Sequence, residues 1–339
     1  MLDRVETTQG ALLARLRAAA AAEDAGASIA PSARASLAAG LMDGEAPVPL
    51  ARALVAVAEA NLPLARLLEG HVNARLLIST HGRMACPPGL LGVWGADGAE
   101  PARLVDGRIV GGKRFASGLG VVGHAVVTVG QGDAARLALV DVSDAARHRP
   151  GTWDMAGMRA TVSGDVDLTG LEPRWLSEPG DYFTEPHFLG GVWRIAALQL
   201  GGTLGLLAAA RDALAAADRL DAEAQVARLA PLVARAMAAF GLVERAAEVA
   251  SGEEGLADPD RAVALSIQAR LLTEDLAQDA VAAVERSVGL AHFAAGAETG
   301  RIARDLATYC RQAARDAFEQ RAGRIALGRP GPLSGFWRG

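Results

Sequence analysis

The spacing of apolar residues changes twice along the chain. Up to about residue 84, in LLARLRAAAAAEDA, in the Ser32 to Met42 stretch and in PLARALVAVAEANLPLARLL, apolar positions recur every three or four residues. That spacing predicts amphipathic helices, and Ala and Leu are strong helix formers. Breaks are expected at Gly26, at Asp43-Gly44, and at Pro47 and Pro49. From about 88 to 180, glycines multiply and valine pairs replace alanine runs. RLVDGRIV places Asp106-Gly107 between two short alternating arms, and VVGHAVVTV and ARLALVDV flank GQGD, so two hairpins are predicted.

GMRATVSGDVDLTGL, Gly157 to Leu171, alternates polar residues on odd positions with apolar ones or glycine on even positions. It predicts a strand with one face on a core and Arg159, Thr161 and Ser163 on the other, toward helices or a ligand cleft. From about 190 the helical spacing returns. One helix is expected from near Gly190 to Leu220 and a second from Asp221 with a kink at Pro231. A third is capped by Asp258-Pro259 and ends near Gly289, and a last covers Arg301 to Leu327. The fold class is therefore α+β. An N-terminal helical domain spans 1–85, an antiparallel β domain 86–185 and a bundle of long helices 186–328, with an irregular tail at 329–339.

Composition narrows the class of protein. With 339 residues, 51% hydrophobic and 22% charged, the chain has the balance of a globular protein with a sizeable core. A net charge of −5 without a basic block argues against nucleic acid as a partner. Cys86 and Cys310 give no disulfide framework, and neither the cysteines nor the histidines show metal spacing. The polar start MLDRVETTQG is unlike a signal peptide, and the apolar run from Ile195 to Ala210 is too short for a membrane span. A cytoplasmic location is expected. The only lysine is Lys113.

Three phrases carry a resemblance. GGKRFASG looks like a strand written G-x-K-x-[WF]-[IA]-[TS]-[NS], WDMAGMRATVSGDV looks like W…GMRAT-x-S-x-x-V, and RIARDLATY looks like the ER-x-x-RD start of a final helix. Their order and spacing resemble the acyl-CoA dehydrogenase family of FAD flavoproteins, of which this chain looks like a divergent and shortened member. The resemblance implies a β domain wedged between helical layers and a homodimer or homotetramer. It also implies hydride transfer from an acyl-CoA or related substrate to flavin N5.

By the same resemblance, Phe115 packs on the flavin ring and Ser117 hydrogen-bonds its edge, since a flavin needs a flat apolar wall and a few fixed donors. Lys113 is the motif's structural lysine. Val93 and Trp94, in GLLGVWGADG, stand where the family's T-E-P-x-x-G-S-D strand gives backbone bonds and a ring wall. Gln225 resembles the glutamine that follows the family's R-x-x-F-G. Arg219 or Arg228 stands in for that motif's arginine at the flavin diphosphate, which takes cationic partners.

The catalytic residue is not found. α,β-Dehydrogenation needs a carboxylate at the carbon beside the thioester. The position eight residues after Asp305 is Ala313, and the family's alternative position falls near Ile195. Glu185, Glu298 and Asp316 are the nearest acids in sequence. Three readings follow: a dehydrogenase with a relocated base, a catalytically silent subunit of a mixed oligomer, or a flavin monooxygenase on the same fold.

Overall fold

The computed structural model describes residues 2–44, 46–82 and 84–338. Its N-terminal layer holds α1 (Leu2–Asp24), α2 (Ala30–Ala38), α3 (Pro47–Ala60) and α4 (Leu62–Leu77). The predicted breaks at Gly26 and at residues 43–47 separate these helices. Asn61 caps α4, its side-chain oxygen accepting from Leu64 N at 3.1 Å, with Pro63 in the first turn.

The β region holds β1 (Leu91–Trp94), β2 (Arg103–Val105), β3 (Arg108–Val110), β4 (Gly112–Ala116), β5 (His124–Val129), β6 (Arg136–Asp141), β7 (His148–Arg149), β8 (Gly164–Asp167) and β9 (Arg174–Trp175). Both predicted hairpins form, β2–β3 around Asp106-Gly107 and β5–β6 around GQGD. The region is not wholly antiparallel. In the four-stranded sheet, ordered β1-β5-β6-β9, β1 runs parallel to β5. A second sheet is ordered β4-β8-β7.

The long predicted strand in Gly157 to Leu171 is mostly a turn. Residues Arg159–Thr161 form a single 3₁₀ turn flanked by Met158 and Val162 in the left-handed region, and only Gly164–Asp167 pairs as β8. Thr161 and Ser163 are buried and Arg159 is exposed, against the expectation that all three share one outward face.

The C-terminal layer holds α5 (Trp193–Ala216), α6 (Glu223–Ser251), α7 (Glu253–Ala257), α8 (Pro259–Val288), α9 (Glu298–Tyr309), α10 (Arg315–Leu327) and α11 (Leu333–Arg338). Asp258 caps α8 as predicted, accepting from Arg261 N at 3.1 Å. α5 lies close against α3. A Cβ at Gly201 would stand 2.3 Å from Val55 O, and one at Gly205 would stand 2.5 Å from Glu59 O, so the glycines set the helix spacing. α6 continues without interruption through the exposed Pro231.

Two expectations at the C-terminus are corrected. The last long helix is two, α9 and α10, separated at residues 310–314 with Ala314 at φ 62°. The tail is not irregular throughout. α11 docks on α8, where Arg261 Nε donates to Phe336 O at 2.8 Å.

One buried cluster runs from α1, α3 and α4 through one sheet face into α5, α6, α8 and α9. A smaller one covers the other face, with Leu77 and Ile78 against Leu91, Val126 and Leu139. Two helical stretches, Leu189–Ala216 and Glu223–Ser251, are long and apolar enough to cross a membrane by length and composition. The most apolar window of the first is 78% buried, as in a core helix, and that of the second only 22%.

Candidate functional site

The GMRAT and RIARD phrases meet in space. A Cβ on Gly157 would lie 2.1 Å from Arg304 O, so only glycine lets this backbone touch α9. The next amide, Met158 N, donates to Asp305 Oδ1 at 2.5 Å. The buried carboxylate thus holds the turn at residues 158–162. Burial, the largest influence, raises the Asp305 carboxyl to about 6, against the Met158 amide and Arg301, which favour its charge. Beyond the turn, Gly118 N donates to Thr161 O at 2.8 Å and Leu119 N to Val162 O at 3.1 Å. This fixes the loop after β4.

β4 itself does not keep Lys113, Phe115 and Ser117 on one face. Its register with β8 shifts between Lys113 and Ala116, and Phe115 has φ 56°. A bulky residue there is a backbone outlier, as at a bulge. The bulge sends Lys113 inward and leaves Phe115 49% exposed. Lys113 Nζ donates to Asp97 Oδ1 at 2.6 Å, Thr128 Oγ1 at 2.7 Å and Gly95 O at 3.4 Å. All three ammonium donors are engaged, so the lysine staples the two sheets and is no base.

Phe115 stands over a cavity of about 520 Å³, within the size range of small-molecule sites. Trp153, Met155 and Met158 add apolar wall, and Trp153 meets Phe115 edge-on with centroids 6.1 Å apart. The residues after the middle of α9, Ala307 to Tyr309 with Arg311 and Gln312, close the other side, and Arg66 of α4 reaches the rim. Arg66 is paired with Glu69 at 2.7 Å, whereas Arg311 has no ion pair among the described residues. The break between α9 and α10 is what lets residues 308–312 face the cavity.

A chain of hydroxyls crosses the floor. Thr161 Oγ1 donates to Met158 O at 2.7 Å and lies 2.8 Å from Ser163 Oγ, which donates to Ser117 Oγ at 3.0 Å. Each hydroxyl has one proton. With Ser163 donating to Ser117, the Ser117 proton has no acceptor among the described residues. Trp153 Nε1 is buried and equally without a partner. The Ser117 hydroxyl therefore offers a free proton beside an apolar slot, whereas Trp153 Nε1 is closed off inside the protein. Of the six non-glycine residues with positive φ among the described residues, Phe115 and Met158 line it and Val162 adjoins it, the kind of strain that gathers at functional sites.

Of the residues expected from sequence, Phe115 and Ser117 come together here. Trp94 is buried behind Ser117, its Nε1 donating to Ser117 O at 3.1 Å, so it holds the strand and does not line the cavity. Val93 packs with Leu77 and Ile78 on the far face of the sheet. His71 Nδ1 accepts from Leu91 N at 3.1 Å to position that strand, and burial lowers its pKa to about 4. Gln225 lies outside the cavity, bonded to Arg228 at 3.0 Å, and Arg228 reaches Ser287 Oγ at 3.1 Å. Arg219 reaches Ser287 O. None of these three residues enters the cavity within one protomer.

No carboxylate lines the cavity among the described residues. Glu185 accepts from Leu189 N and Gly190 N, Glu298 starts α9, and Asp316 sits on α10. Sequence reasoning gave no role to Trp153, Met155, Thr308, Tyr309, Arg311 or Gln312. Trp153 and Met155 stood inside one quoted motif and Thr308 and Tyr309 inside another, which was the available signal.

No family model and no curated protein matches the sequence. Solved structures do. Dibenzothiophene monooxygenase TdsC from Paenibacillus sp. A11-2 superposes with TM-score 0.82 at 19% identity, covering 99% of this chain and 100% of that one. The 3-HSA hydroxylase from Rhodococcus sp. RHA1 gives 0.77 at 18%, covering 97% and 98%. KijD3, solved with FMN and an amino-keto sugar nucleotide, gives 0.78 at 20%, covering 99% and 97%. The chain has the acyl-CoA dehydrogenase-like fold over nearly its whole length.

Proposed function

We propose that this chain is a flavin-dependent monooxygenase, with the isoalloxazine ring in the cavity at Phe115. The observation that carries the reading is a slot with an aromatic wall and an unmade donor but no carboxylate. A flavin fits it on two counts. The ring needs a flat apolar face, which Phe115, Trp153 and Met155 offer, and its edge presents acceptors to the Ser117 hydroxyl. Removing the proton beside a thioester needs a positioned base, and the cavity offers none, so α,β-dehydrogenation of an acyl-CoA is disfavoured. A silent subunit would have no use for a strained Phe115 and an open donor.

When bound, reduced flavin supplies the two electrons that activate dioxygen for insertion of one oxygen atom into an organic substrate. The chain's own residues bind and orient. Phe115 and Met158 exclude water from the ring, and the Thr161–Ser163–Ser117 hydroxyls hold a proton at Ser117 Oγ facing the ring edge. Arg311 offers an unpaired cation at the rim for a flavin phosphate or a substrate anion. The sequence resemblance points to FAD, while TdsC and KijD3 are seen with FMN.

The test is titration of the purified protein with FMN and FAD, followed by incubation with chemically reduced flavin, oxygen and indole as an apolar probe. Flavin binding and an oxygenated product are expected. Flavin reduced anaerobically by an acyl-CoA would overturn the reading in favour of a dehydrogenase. A homo-oligomer belongs to the same proposal. On α6, Val226, Val233 and Met237 are exposed at helical spacing, and Met237 is 73% exposed. A second copy covering this stripe would bury it. Light scattering should show a dimer or tetramer that Met237→Glu weakens.

A further inference from the structure

A second cavity, of about 700 Å³, opens at the other end of α9. Its floor is an alanine face of α1 running from Ala14 to Ala25, and its rim carries Arg17, Arg159, Arg301 and Arg304 against Asp24 and Glu298. Four guanidiniums and two carboxylates line it, and Asp212 and Asp305, outside the lining, stand 3.5 and 3.8 Å from Arg17 and Arg301. Arg17 is paired with Glu298 at 3.0 Å and reaches Asp212 at 3.5 Å, outside the cavity. Arg304 stands 3.7 Å from Asp24. Arg159, on the same 3₁₀ turn that brings Thr161 to the first cavity, is exposed and has no ion pair or side-chain hydrogen bond among the described residues.

Arg301 is the unusual member. Its side chain is only 9% exposed, yet none of its N–H groups makes a hydrogen bond among the described residues. Its Nε is buried without a partner, and its nearest acids, Glu298 and Asp305, stand 3.9 and 3.8 Å away. A buried guanidinium with its donors unmade is costly unless something else accepts from it. The twelve-residue α9 starts beside it. Its cap residue, Ala297, has no side-chain acceptor for the first-turn N–H groups, so the positive helix end also points at this space.

We propose that this cavity is an oxyanion site that takes a dianionic phosphate group, held by Arg159, Arg301 and the first turn of α9. Guanidinium forks match phosphate oxygens pairwise, so the unpaired Arg159 and the open donors of Arg301 suit a phosphate group. The alanine floor accommodates an organic body on a phosphate ester, so inorganic phosphate and an ester are the two sources of the same chemistry. The site is separate from the flavin proposal and binds with or without flavin.

Calorimetric titration with inorganic phosphate, pyrophosphate and adenosine monophosphate tests this, against chloride at matched ionic strength. Saturable binding is expected, about tenfold weaker in Arg159→Ala, which removes an exposed side chain, and unchanged in Arg311→Ala at the other cavity. Arg301→Gln should weaken it at least as much, if that variant folds. Tighter binding of adenosine monophosphate than of phosphate identifies an ester as the occupant, and the reverse order identifies the free anion. No saturable binding above the chloride control would overturn the proposal. So would loss in Arg311→Ala with Arg159→Ala unaffected, which would place the anion in the flavin cavity.

Discussion

The two ends of α9 face opposite chemistry across one turn. At its C-terminal end, Tyr309, Arg311 and Gln312 meet Phe115, Trp153 and a floor of hydroxyls, with no carboxylate among the lining residues. At its N-terminal end, four arginines and two acids ring a floor of alanines. The turn at residues 158–162 belongs to both. Met158 and Thr161 line the first cavity and Arg159 the second. The difference teaches that the family-like phrases GMRAT and RIARD mark a joint. They say where a turn is clasped to a helix, and they supply part of each lining, Met158 and Thr161 to the first cavity and Arg159, Arg301 and Arg304 to the second.

The clasp is the place to break both cavities at once. Gly157→Ala puts a methyl 2.1 Å from Arg304 O, and backbone cannot give way as a flexible side chain would. The turn must leave α9, which also removes the Met158–Asp305 hydrogen bond. A loss of about 3 kcal/mol in unfolding free energy is expected, from overpacking plus the orphaned carboxylate. Urea denaturation measures it, and binding of both flavin and phosphate should fall together. A variant as stable as wild type would show that the turn is held elsewhere.

Phe115→Ala should separate the two ends. It removes the flavin wall and touches nothing at the arginine cavity. An aromatic contact is worth on the order of 1 kcal/mol beyond buried area, so flavin affinity should drop about tenfold. Phosphate titration should be unchanged. The residue also sits at φ 56°, and alanine keeps the Cβ that makes this conformation costly, so the backbone strain stays in the variant. Equal flavin affinity in the variant and wild type would remove Phe115 from the site.

These positions show what was legible in the sequence. The helix–sheet–helix order, both hairpins and the Asp258-Pro259 cap followed from spacing and turn chemistry alone, because each is a local effect. Phe115 and Ser117 came from the GGKRFASG phrase. The strand expected over Gly157 to Leu168 failed because tertiary contacts override a two-residue alternation. Gly157 needs to touch Arg304 O, and Met158 needs to reach Asp305, nearly 150 positions away in sequence. The same kind of override put Lys113 and Phe115 on opposite sides of β4, since a bulge leaves no trace in polar and apolar spacing. Arg311 and Gln312 were hidden inside what reads as one helix. Residues 310–314 break it, although nothing in RQAARD marks the break.

pH sharpens the comparison through Asp305. Its folded value of about 6 lies above the ordinary 3.8, so between these the folded chain holds a proton that the unfolded chain lacks. That contribution to stability is present at low pH and is lost as pH rises through about 6. His71 works the other way. Its folded value of about 4 lies below 6.5, so the unfolded chain binds the proton first and stability falls as pH falls through that range. The two oppose one another between about pH 6 and 4. Asp305→Asn keeps an oxygen for Met158 N but removes the titration, so its urea midpoint should fall more steeply than wild type over that range. Parallel pH profiles would mean that Asp305 does not titrate there.

The smallest effect is expected at Ser117, and it reports on the hydroxyl chain alone. Ser117→Ala removes the one proton in the chain that has no acceptor within the protein. It frees the Ser163 proton to turn to Thr161 Oγ1, 2.8 Å away, and leaves the Trp94 bond to the backbone carbonyl of residue 117 in place. The fold should therefore be nearly unaffected. A neutral hydrogen bond contributes about 0.5–1.5 kcal/mol net, so flavin affinity should weaken about two- to tenfold, less than in Phe115→Ala. The spectrum is the sharper readout, because a donor at the ring edge tunes the flavin's electronics while a wall does not. The bound-flavin absorbance maximum should shift in Ser117→Ala, and Ser163→Ala should produce a smaller shift in the same direction by leaving Ser117 free to turn. An unshifted spectrum with unchanged affinity would mean that the ring edge lies elsewhere in the cavity and that the hydroxyl chain serves only to pin the turn to the loop after β4.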